Sequence, residues 1–317
     1  MFKLITPKTE NQIAKYYQFR WQMLREPLRM PKGSERDEFD EMSHHRMIVD
    51  SRGRPMAVGR LYITPDNEGQ IRYMAVKANR RKRGVGSLIL VALESFARQE
   101  GVKRLVCNAR EDALGFYKKN GFESHGELSE QQGPNRHQQL VKELDPMANV
   151  LRKPQWCSEL QERWEQQIPI SDKMGIKINQ YTGYQFECCA QLNPNLNPRN
   201  SMFAGSAFTL ATLTGWGMTW LLMKERNLAA DIVLADSNIR FRHPVENNPV
   251  AKTSLDGISG DLDRLGKGRK ARIIINVTIY SDDQPAVEFV GTYVLLPEKN
   301  NDVQEQQEVL IDAAMNV

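Results

Sequence analysis

The sequence predicts a protein of the α+β class with two domains of different architecture. The chain has 317 residues, so each half is long enough to bury a core of its own. The first half alternates short helices with strands, whereas the second half has one long helix among extended strands. This element order predicts an α/β domain over residues 1–145 and an antiparallel sheet wrapped around a helix over residues 170–297.

Hydrophobic periodicity and turn residues define the elements of the first half. An amphipathic helix is predicted at IAKYYQFRWQMLR, and strands are predicted at MIVD, PMAVGRLYI, IRYMAV, KRLVCNA and RHQQLVKEL. Further helices are expected after KANRRKRGVG and at DALGFYKKN. The polar, partly helical stretch 146–169 then predicts a linker and a lead-in helix.

The second half contains the most regular strand pattern of the chain. In ARIIINVTIYS every second residue from Ile273 to Ile279 is apolar and would face one side of a sheet, and DIVLADSNIRFRHPV and AVEFVGTYVLLP are also strand-like. The segment from Phe203 to Met223 has the length of a membrane span, but its four threonines and three glycines favour a buried helix of a soluble domain. The polar tail 298–317 is predicted to be disordered.

Composition and charge narrow the classes of function. A charged fraction of 26% and a net charge of +4 are ordinary for a globular enzyme and do not indicate a nucleic-acid-binding protein. The four cysteines form no CxxC pair, so neither a zinc site nor a disulfide framework is predicted. The start of the chain lacks the apolar core of a signal peptide, and we therefore expect a cytoplasmic protein.

The stretch RRKRGVGSL predicts a diphosphate-binding loop. Arg81, Gly84 and Gly86 have the spacing [RQ]xxGx[GA] after a strand and at the start of a helix. Glycines let the backbone approach an anion closely, and a helix N-terminus presents free N–H groups to it. About 20 residues on, CNAREDALGFYKKNGF adds an Asn–Ala–Arg run and an FYxxxGF motif. Together these stretches resemble the Gcn5-related N-acetyltransferase family over residues 1–145.

This resemblance implies acetyl-CoA as the ligand of the first half. The backbone of the loop would bind the pyrophosphate, with contacts at Arg81, Arg83, Gly84, Val85 and Gly86. Asn108 would contact the pantetheine arm or the splayed strand beside it. Tyr117 would protonate the leaving CoA thiolate, with core packing beside Phe116 and Phe122 as its alternative role. No base for an acceptor amine stands out among Glu68, His44 and His45, so acyl-CoA binding without acetyl transfer stays open.

The loop LNPNLNPRNSMFAGSAF, residues 192–208, opens the long helix of the second half. The strand–loop–helix–strand order of residues 170–297 resembles a hotdog domain, in which thioesters bind at a dimer interface. NPNLNPRNSMFAGS and GDLDRLGKGRKAR resemble the C-terminal domain of a two-domain bacterial family, acetyltransferase-like and then hotdog. Members of that family are labelled thioesterases and are associated with malonyl-acyl-carrier-protein decarboxylase activity. The resemblance implies a homodimer that acts on phosphopantetheine thioesters of acyl carrier protein.

The side chains of this loop favour decarboxylation over hydrolysis. Hydrolysis needs a carboxylate, and the loop has none, although Asp231 and Asp236 on the next strand are alternatives. Decarboxylation needs donors to the enolate oxygen, and both asparagine amides and helix N-terminal N–H groups are suitable. The preferred catalytic residue is Asn197, and Asn195 is the second choice. The backbone at the helix start supplies further donors, at Ala204, Gly205 and Ser206. Ser206 is expected to cap the helix or to assist, and Asn193 and Asn200 are expected to be turn residues.

The basic run RLGKGRKAR is predicted to dock the carrier protein or to contact a phosphate near the mouth of the thioester tunnel. Its cations include Arg264, Lys267, Arg269 and Lys270. The leading hypothesis is a cytoplasmic homodimer that converts malonyl- to acetyl-acyl carrier protein for fatty acid synthesis. That reaction would need no metal or further cofactor. The alternatives are acyl-CoA or acyl-carrier-protein hydrolysis, amine N-acetylation with the hotdog as a dimerisation module, and a non-enzymatic acyl sensor.

Overall fold

The computed structural model describes residues 2–129, 136–145 and 150–297. Within these residues, strands from both halves of the chain join in one fourteen-stranded sheet. The two-domain α+β prediction is confirmed. The tail 298–317 and residues 146–149 of the expected linker lie outside the described residues.

The N-terminal domain is a mixed sheet with helices on its faces. Its elements are β1 (Phe2–Ile5), α1 (Glu10–Leu24), β2 (His44–Asp50), β3 (Pro55–Ile63), β4 (Glu68–Val76), α2 (Val85–Gln99), β5 (Arg104–Arg110), α3 (Leu114–Lys119), β6 (Glu123–Ser129) and β7 (His137–Glu143). Most strands are antiparallel, but β4 and β5 are parallel because α2 crosses over between them. Every strand predicted in this half is confirmed, and β1 and β6 are additional.

The parallel pair β4–β5 opens into a wedge. Its pairing runs only from Glu68 opposite Arg104 to Gln70 opposite Val106, although both strands continue beyond these residues. A bulge in β4 at Tyr73, where φ is 53°, bends the strand at the same level. The wedge therefore lies next to the loop that connects β4 with α2.

The C-terminal domain is an antiparallel sheet around one buried helix. Its elements are α4 (Pro154–Gln167), α5 (Pro169–Lys173), β8 (Lys177–Tyr181), β9 (Gln185–Cys189), α6 (Ala204–Glu225), β10 (Asp231–Phe241), β11 (Pro249–Ser254), β12 (Ile258–Gly260), β13 (Ala271–Ser281) and β14 (Gln284–Leu296). The inward-facing positions of β13 are buried as the alternation predicts. Within the described residues no helix has the length and apolar character needed to cross a membrane.

Two glycines of α6 let neighbouring aromatic side chains approach its axis. A Cβ on Gly217 would lie 2.7 Å from the ring of Trp164 in α4 and 2.9 Å from Phe186 in β9. A Cβ on Gly215 would lie 2.9 Å from Cζ of Tyr293, whose hydroxyl donates to the Thr212 carbonyl at 2.8 Å. Because Trp164 is fully buried against α6, the lead-in helix α4 is part of the hotdog core.

The first strand of the chain joins the two domains. Phe2 of β1 lies opposite Asp50 of β2 on one side and opposite Gly260 of β12 on the other. The strand has only four residues, FKLI, which is too short for a periodic signal, and the sequence analysis did not predict it. The pairing makes one continuous sheet of the acetyltransferase-like and hotdog domains.

Candidate functional sites

The predicted diphosphate loop has the geometry of an anion cradle. Gly84 takes a left-handed φ of 74° and is the N-cap of α2, with no side chain capping the helix. The backbone N–H groups of the first turn have no hydrogen-bond partner among the described residues. A Cβ on Gly86 would lie 3.1 Å from the Phe116 ring, so only glycine lets α2 and α3 approach this closely. Free donors at a helix N-terminus are suited to the pyrophosphate of a coenzyme.

Asn108 and Tyr117 lie on the elements that border the wedge. Asn108 is exposed on the part of β5 that no longer pairs with β4 and that keeps its pairing with β7 on the other edge. Tyr117 of α3 is buried, and its ring meets Phe116 and Phe122 edge-on at centroid distances of 5.0 and 5.5 Å. Burial raises the pKa of Tyr117, so its hydroxyl stays protonated at neutral pH. The structure shows the packing role, and the raised pKa makes the hydroxyl a weaker acid toward a departing thiolate.

None of the three residues considered as a base is placed as a free base in the wedge. His44 stacks on Phe96 at 3.7 Å, and burial lowers its pKa to about 4. His45 is held by the Tyr16 hydroxyl at 3.1 Å and by the Asp40 carbonyl at 2.8 Å, and burial lowers its pKa too. Glu68 lies on the paired section of β4, outside the wedge.

A buried ionic network beside the bulge of β4 was not predicted from the sequence. Arg20 donates to Asp40 at 2.6 Å, and Arg60 pairs with Asp37 and, at 3.2 Å, with Asp40. Tyr73 donates to Asp37 at 3.2 Å and lies 3.6 Å below the Arg20 guanidinium. Burial raises the pKa of both carboxyls, but the arginines outweigh it and lower each pKa below its usual value. The only sequence signal was an arginine-bearing helix followed by the acidic stretch ERDEFDE.

The loop before α6 is closed by Asn197. Its Oδ1 accepts from the backbone N–H groups of Arg199 at 2.8 Å and Ser201 at 3.3 Å. Its Nδ2 donates to Ser201 Oγ at 3.0 Å and makes a longer contact of 3.4 Å with the Met202 carbonyl. Asn197 thus acts as a turn residue, and only the N–H near Met202 is weakly held. It is the one amide hydrogen of Asn197 that can turn toward a substrate at little cost.

Asn195 has a different role from the predicted one. Its side chain is only 3% exposed, and its Nδ2 donates to the carbonyls of Met174 at 2.9 Å and Gln191 at 2.7 Å. Both amide hydrogens are therefore used, and a flipped amide would place its oxygen against two carbonyl oxygens. Asn195 cannot donate to a substrate in this arrangement. The prediction is corrected: Asn195 fixes the loop against the segment after α5.

The N-terminus of α6 is open. The helix begins at Ala204 after Phe203, and no side chain caps it. Ala204 and Gly205 are exposed, and the ring of Phe203 is 56% exposed beside them. Ser206 is the third residue of the helix, so the predicted capping role is wrong, because a cap precedes the first helical residue. The first-turn N–H groups have no partner among the described residues.

Neither aspartate considered for hydrolysis is in position beside this helix end. Trp216, in the second half of α6, donates to the Ile232 carbonyl, so the start of β10 lies along the later turns of α6. Asp231, at the first position of β10, is about 33 Å along the strand from its other end. Asp236 is exposed, whereas the β10 residues that contact the core are Ile232, Leu234 and Ile239.

The basic run is located at the other end of α6 from the amide loop. A Cβ on Gly266 would lie 4.0 Å from Leu228, and Asp263 pairs with Arg226 at 3.1 Å, both just after the end of α6. The helix has 22 residues, which is about 33 Å, so the basic run and the amide loop lie at opposite ends of α6 within one chain, and the predicted docking role stays a prediction. The run covers the end of the 3₁₀ turn Leu262–Lys267 and continues to the start of β13. All predicted docking residues are exposed: Arg264, Lys267, Arg269 and Lys270.

Family models match both domains. Residues 10–122 match the model described as "Acetyltransferase (GNAT) family", and residues 157–297 match the model described as "Putative thioesterase (yiiD_Cterm)". The second match begins inside α4, in agreement with the packing of that helix on α6.

Individual relatives each match one half of the chain. An uncharacterized N-acetyltransferase of Bacillus subtilis (strain 168), YjcF, is 28% identical over 141 residues, which are 44% of this chain and 99% of the relative. A solved structure titled as a putative thioesterase from Shewanella oneidensis is 38% identical and covers 45% of this chain and 99% of its own, with a TM-score of 0.44. A solved structure titled as a putative N-acetyltransferase from Lactobacillus plantarum is 19% identical over 45% of this chain and 99% of its own, with a TM-score of 0.42. The chain thus joins an acetyltransferase (GNAT) domain at residues 10–122 to a hotdog domain of the yiiD C-terminal thioesterase family at residues 157–297.

Proposed function

We propose that the hotdog domain decarboxylates a malonyl thioester carried by acyl carrier protein and leaves an acetyl thioester. The observation that carries the proposal is the open N-terminus of α6, which lies beside a loop without any acidic side chain. In this reaction the bond between the carboxylate and the methylene carbon breaks, and carbon dioxide leaves. The electron pair of the broken bond moves into the thioester carbonyl. The resulting enolate takes a proton from water at carbon.

The reaction requires hydrogen-bond donors to the thioester oxygen, and the start of α6 supplies them. Negative charge develops on the thioester oxygen, and the N–H groups of Ala204 and Gly205 are free to donate to it. The partial positive charge at a helix N-terminus acts in the same direction. No general base is needed before carbon dioxide leaves. A loop of amides and N–H groups is therefore sufficient for decarboxylation and insufficient for activating water.

Asn197 is proposed as the side chain that assists the helix. Its weakly held N–H is on the loop that ends at Phe203, where the helix begins. Asn195 is removed from the proposed donors because both of its amide hydrogens are used. The exposed Phe203 ring and the exposed Leu196 side chain supply apolar surface for the malonyl group. Apolar surroundings destabilise the carboxylate relative to the neutral carbon dioxide that it becomes.

A homodimer through β10 is part of the proposal. In the described chain β10 pairs with β14 only, so one edge of an eleven-residue strand is unpaired. Val233 and Phe241 on this strand and Val290 beside it are exposed. A long apolar edge strand is stabilised when a second copy pairs with it. The last residues of β10 lie near the first turns of α6, since Phe208 contacts Phe289 and Phe289 pairs with Ile239. A partner on β10 would therefore cover the open helix end.

The GNAT domain is proposed to bind acetyl-CoA at the Gly84–Gly86 loop, with the acyl end in the wedge between β4 and β5. Tyr117, protonated and beside the wedge, is proposed as the donor to a departing thiolate. His44 and His45 are held by other groups, so acetyl transfer to an amine lacks an obvious base. An accessory or regulatory role of the bound coenzyme agrees with this arrangement better than rapid amine acetylation.

Thioester hydrolysis is the second candidate function, since the matched family is described as a thioesterase. It requires water activation, and within one protomer Asp231 is at the far end of β10 and Asp236 points away from the core. The product analysis below separates the two reactions.

The test is to incubate the purified protein with malonyl-acyl carrier protein and to resolve the carrier species by intact mass spectrometry. Loss of carbon dioxide with the thioester retained supports decarboxylation, and in D₂O the new methyl group should carry one deuterium from solvent. Free carrier protein with malonate would instead establish hydrolysis. Asn197→Ala should slow the reaction, whereas the matched Asn193→Ala, at an exposed position of the same loop, should not.

A further inference from the structure

Arg226, the residue that ends the central hotdog helix, reaches into the coenzyme loop of the other domain. Its Nε donates to the carbonyl of Arg83 at 2.9 Å, and a Cβ on Gly84 would lie 3.2 Å from its Cγ. The guanidinium side chain is only 4% exposed and lies 5.4 Å from the ring centroid of Phe2. The contact is one between domains, made by a buried guanidinium with a backbone carbonyl of the exposed residue Arg83.

The peptide that Arg226 holds is the one that leads into α2. In a planar trans peptide the C=O and N–H bonds point in opposite directions. Because the Arg83 carbonyl is turned toward the hotdog domain, the Gly84 N–H of the same peptide points away from Arg226. That N–H has no partner among the described residues and is the first donor of the cradle. Fixing the carbonyl thus fixes the direction of a coenzyme-binding donor.

A second contact holds the other end of the same loop. Arg80 forms an ion pair with Asp263 of the hotdog 3₁₀ turn, and Asp263 also accepts from Arg226 Nη2 at 3.1 Å. Asp263 therefore holds Arg80 at the start of the loop and also contacts Arg226, which holds Arg83 at its end, so the loop is attached to the hotdog domain at both ends. The loop and the basic turn are each visible in the sequence, but only the fold brings them together.

We propose that Arg226 is a positioning residue of the acetyl-CoA site and that the hotdog domain, through Arg226 and Asp263, sets the affinity of the GNAT domain for the coenzyme diphosphate. The inference rests on the proposed binding of acetyl-CoA at the Gly84–Gly86 loop and not on the reaction of the hotdog domain. The Nη1 group of Arg226 is buried and has no hydrogen-bond partner among the described atoms. Because Nη2 is ion-paired with Asp263, the positive charge is already partnered, and Arg226 acts on the loop through its hydrogen bond to the Arg83 carbonyl.

The contact also couples the two domains. Coenzyme binding and the Arg226–Arg83 contact act on the same peptide, and linkage between two equilibria is reciprocal. An occupied cradle should therefore stabilise the contact with the end of α6, just as the contact should stabilise the occupied cradle. The same helix has its open N-terminus at the proposed thioester site.

The test is to titrate the full-length protein with acetyl-CoA by isothermal calorimetry. Arg226→Gln should raise the Kd by about tenfold, the size of effect typical of losing one hydrogen bond from a charged donor. Inorganic pyrophosphate, used as a competitor of acetyl-CoA, should lose affinity in parallel. Arg226→Lys keeps the charge but lacks the planar donor pair, so it should restore less than half of the loss. The control is Arg242→Gln, an exposed hotdog arginine that pairs with Glu288.

Three results would overturn the proposal. An unchanged Kd in a folded Arg226→Gln protein would mean that the contact does not position the loop. Full restoration by Arg226→Lys would assign the effect to charge instead of position. Failure of the wild-type protein to bind acetyl-CoA would remove the coenzyme site itself. If Arg226→Gln does not fold, Asp263→Ala, which removes the partner of Arg80 and the acceptor of Arg226 Nη2 without altering Arg226, must show the rise in Kd.

Discussion

Replacing Ala204 with proline should remove one catalytic donor of the proposed decarboxylase without disturbing the helix. Ala204 is the first residue of α6, where the N–H has no partner within the helix and where proline is favoured. The preceding residue, Phe203, has φ of −62° and ψ of 136°, which is the conformation that proline requires before it. The substitution therefore deletes the N–H and leaves the backbone as it is.

The expected loss can be estimated from the number of donors removed. One preorganised donor to a developing oxyanion contributes about 3–4 kcal/mol, so kcat should fall by roughly 10²–10³-fold. The melting temperature should stay the same or rise slightly, because proline restricts the unfolded chain at a site whose native backbone it fits. Ala204→Ser keeps the N–H at the same position and should retain kcat within a few fold.

The assay is the rate of formation of acetyl-acyl carrier protein at saturating malonyl-acyl carrier protein, with the far-UV circular dichroism melt of each variant. A folded Ala204→Pro protein that decarboxylates within threefold of the wild-type rate would refute the role of the helix end. A loss of equal size in Ala204→Ser would show that the position is sensitive to sterics and that the N–H is not the reason.

Three further predictions concern stability and the rival reaction. Burial lowers the pKa of folded His44 to about 4, whereas the unfolded chain has the ordinary value of 6.5. Between these pH values the unfolded chain binds a proton that the folded protein does not, so stability should fall as the pH is lowered from 6.5 to 4. Between pH 7.5 and pH 4.5 the free energy of unfolding of the wild type should fall by about 1–2 kcal/mol because of His44, after allowance for its partial exposure. Urea unfolding of His44→Leu at the two pH values should lack this contribution. Gly215→Ala would drive a Cβ into the fully buried Tyr293 ring and should destabilise the protein by about 1–3 kcal/mol, whereas Gly115→Ala, with open space around it, should be neutral or stabilising; equal effects would contradict the packing. Asp236→Asn should leave the decarboxylation rate unchanged, and a loss of more than tenfold would show that this carboxylate takes part in the reaction.

The sequence by itself determined the two folds and the strand–glycine–helix order of the proposed coenzyme loop. The strands and helices that build each domain have strong local periodicity, and the alternation along β13 and the apolar length of α6 are visible without any tertiary information. The coenzyme loop is also local, because its strand, its glycines and its helix are contiguous in the chain. A ligand that binds backbone N–H groups depends on just such a contiguous segment.

Only the tertiary structure decided how the four asparagines of the amide loop are used. Asn195 and Asn197 are two residues apart and chemically identical, yet one is buried against carbonyls of the preceding segment and the other closes an exposed turn. Which one retains an N–H depends on the position of Met174, a residue distant in sequence. Local pattern carries no information on that contact.

Long-range packing also decided where the charges lie. The sequence does not show how the basic turn after β12 lies relative to the other sites, and the antiparallel course of α6 and β13 places it at the end of the domain beside the proposed coenzyme loop. The four-residue strand β1 joins the domains through backbone hydrogen bonds. Almost any residue can form such bonds, so they leave no signal in the sequence. Sequence periodicity specifies which face of an element is buried, whereas the partner that covers the face is selected by the fold as a whole.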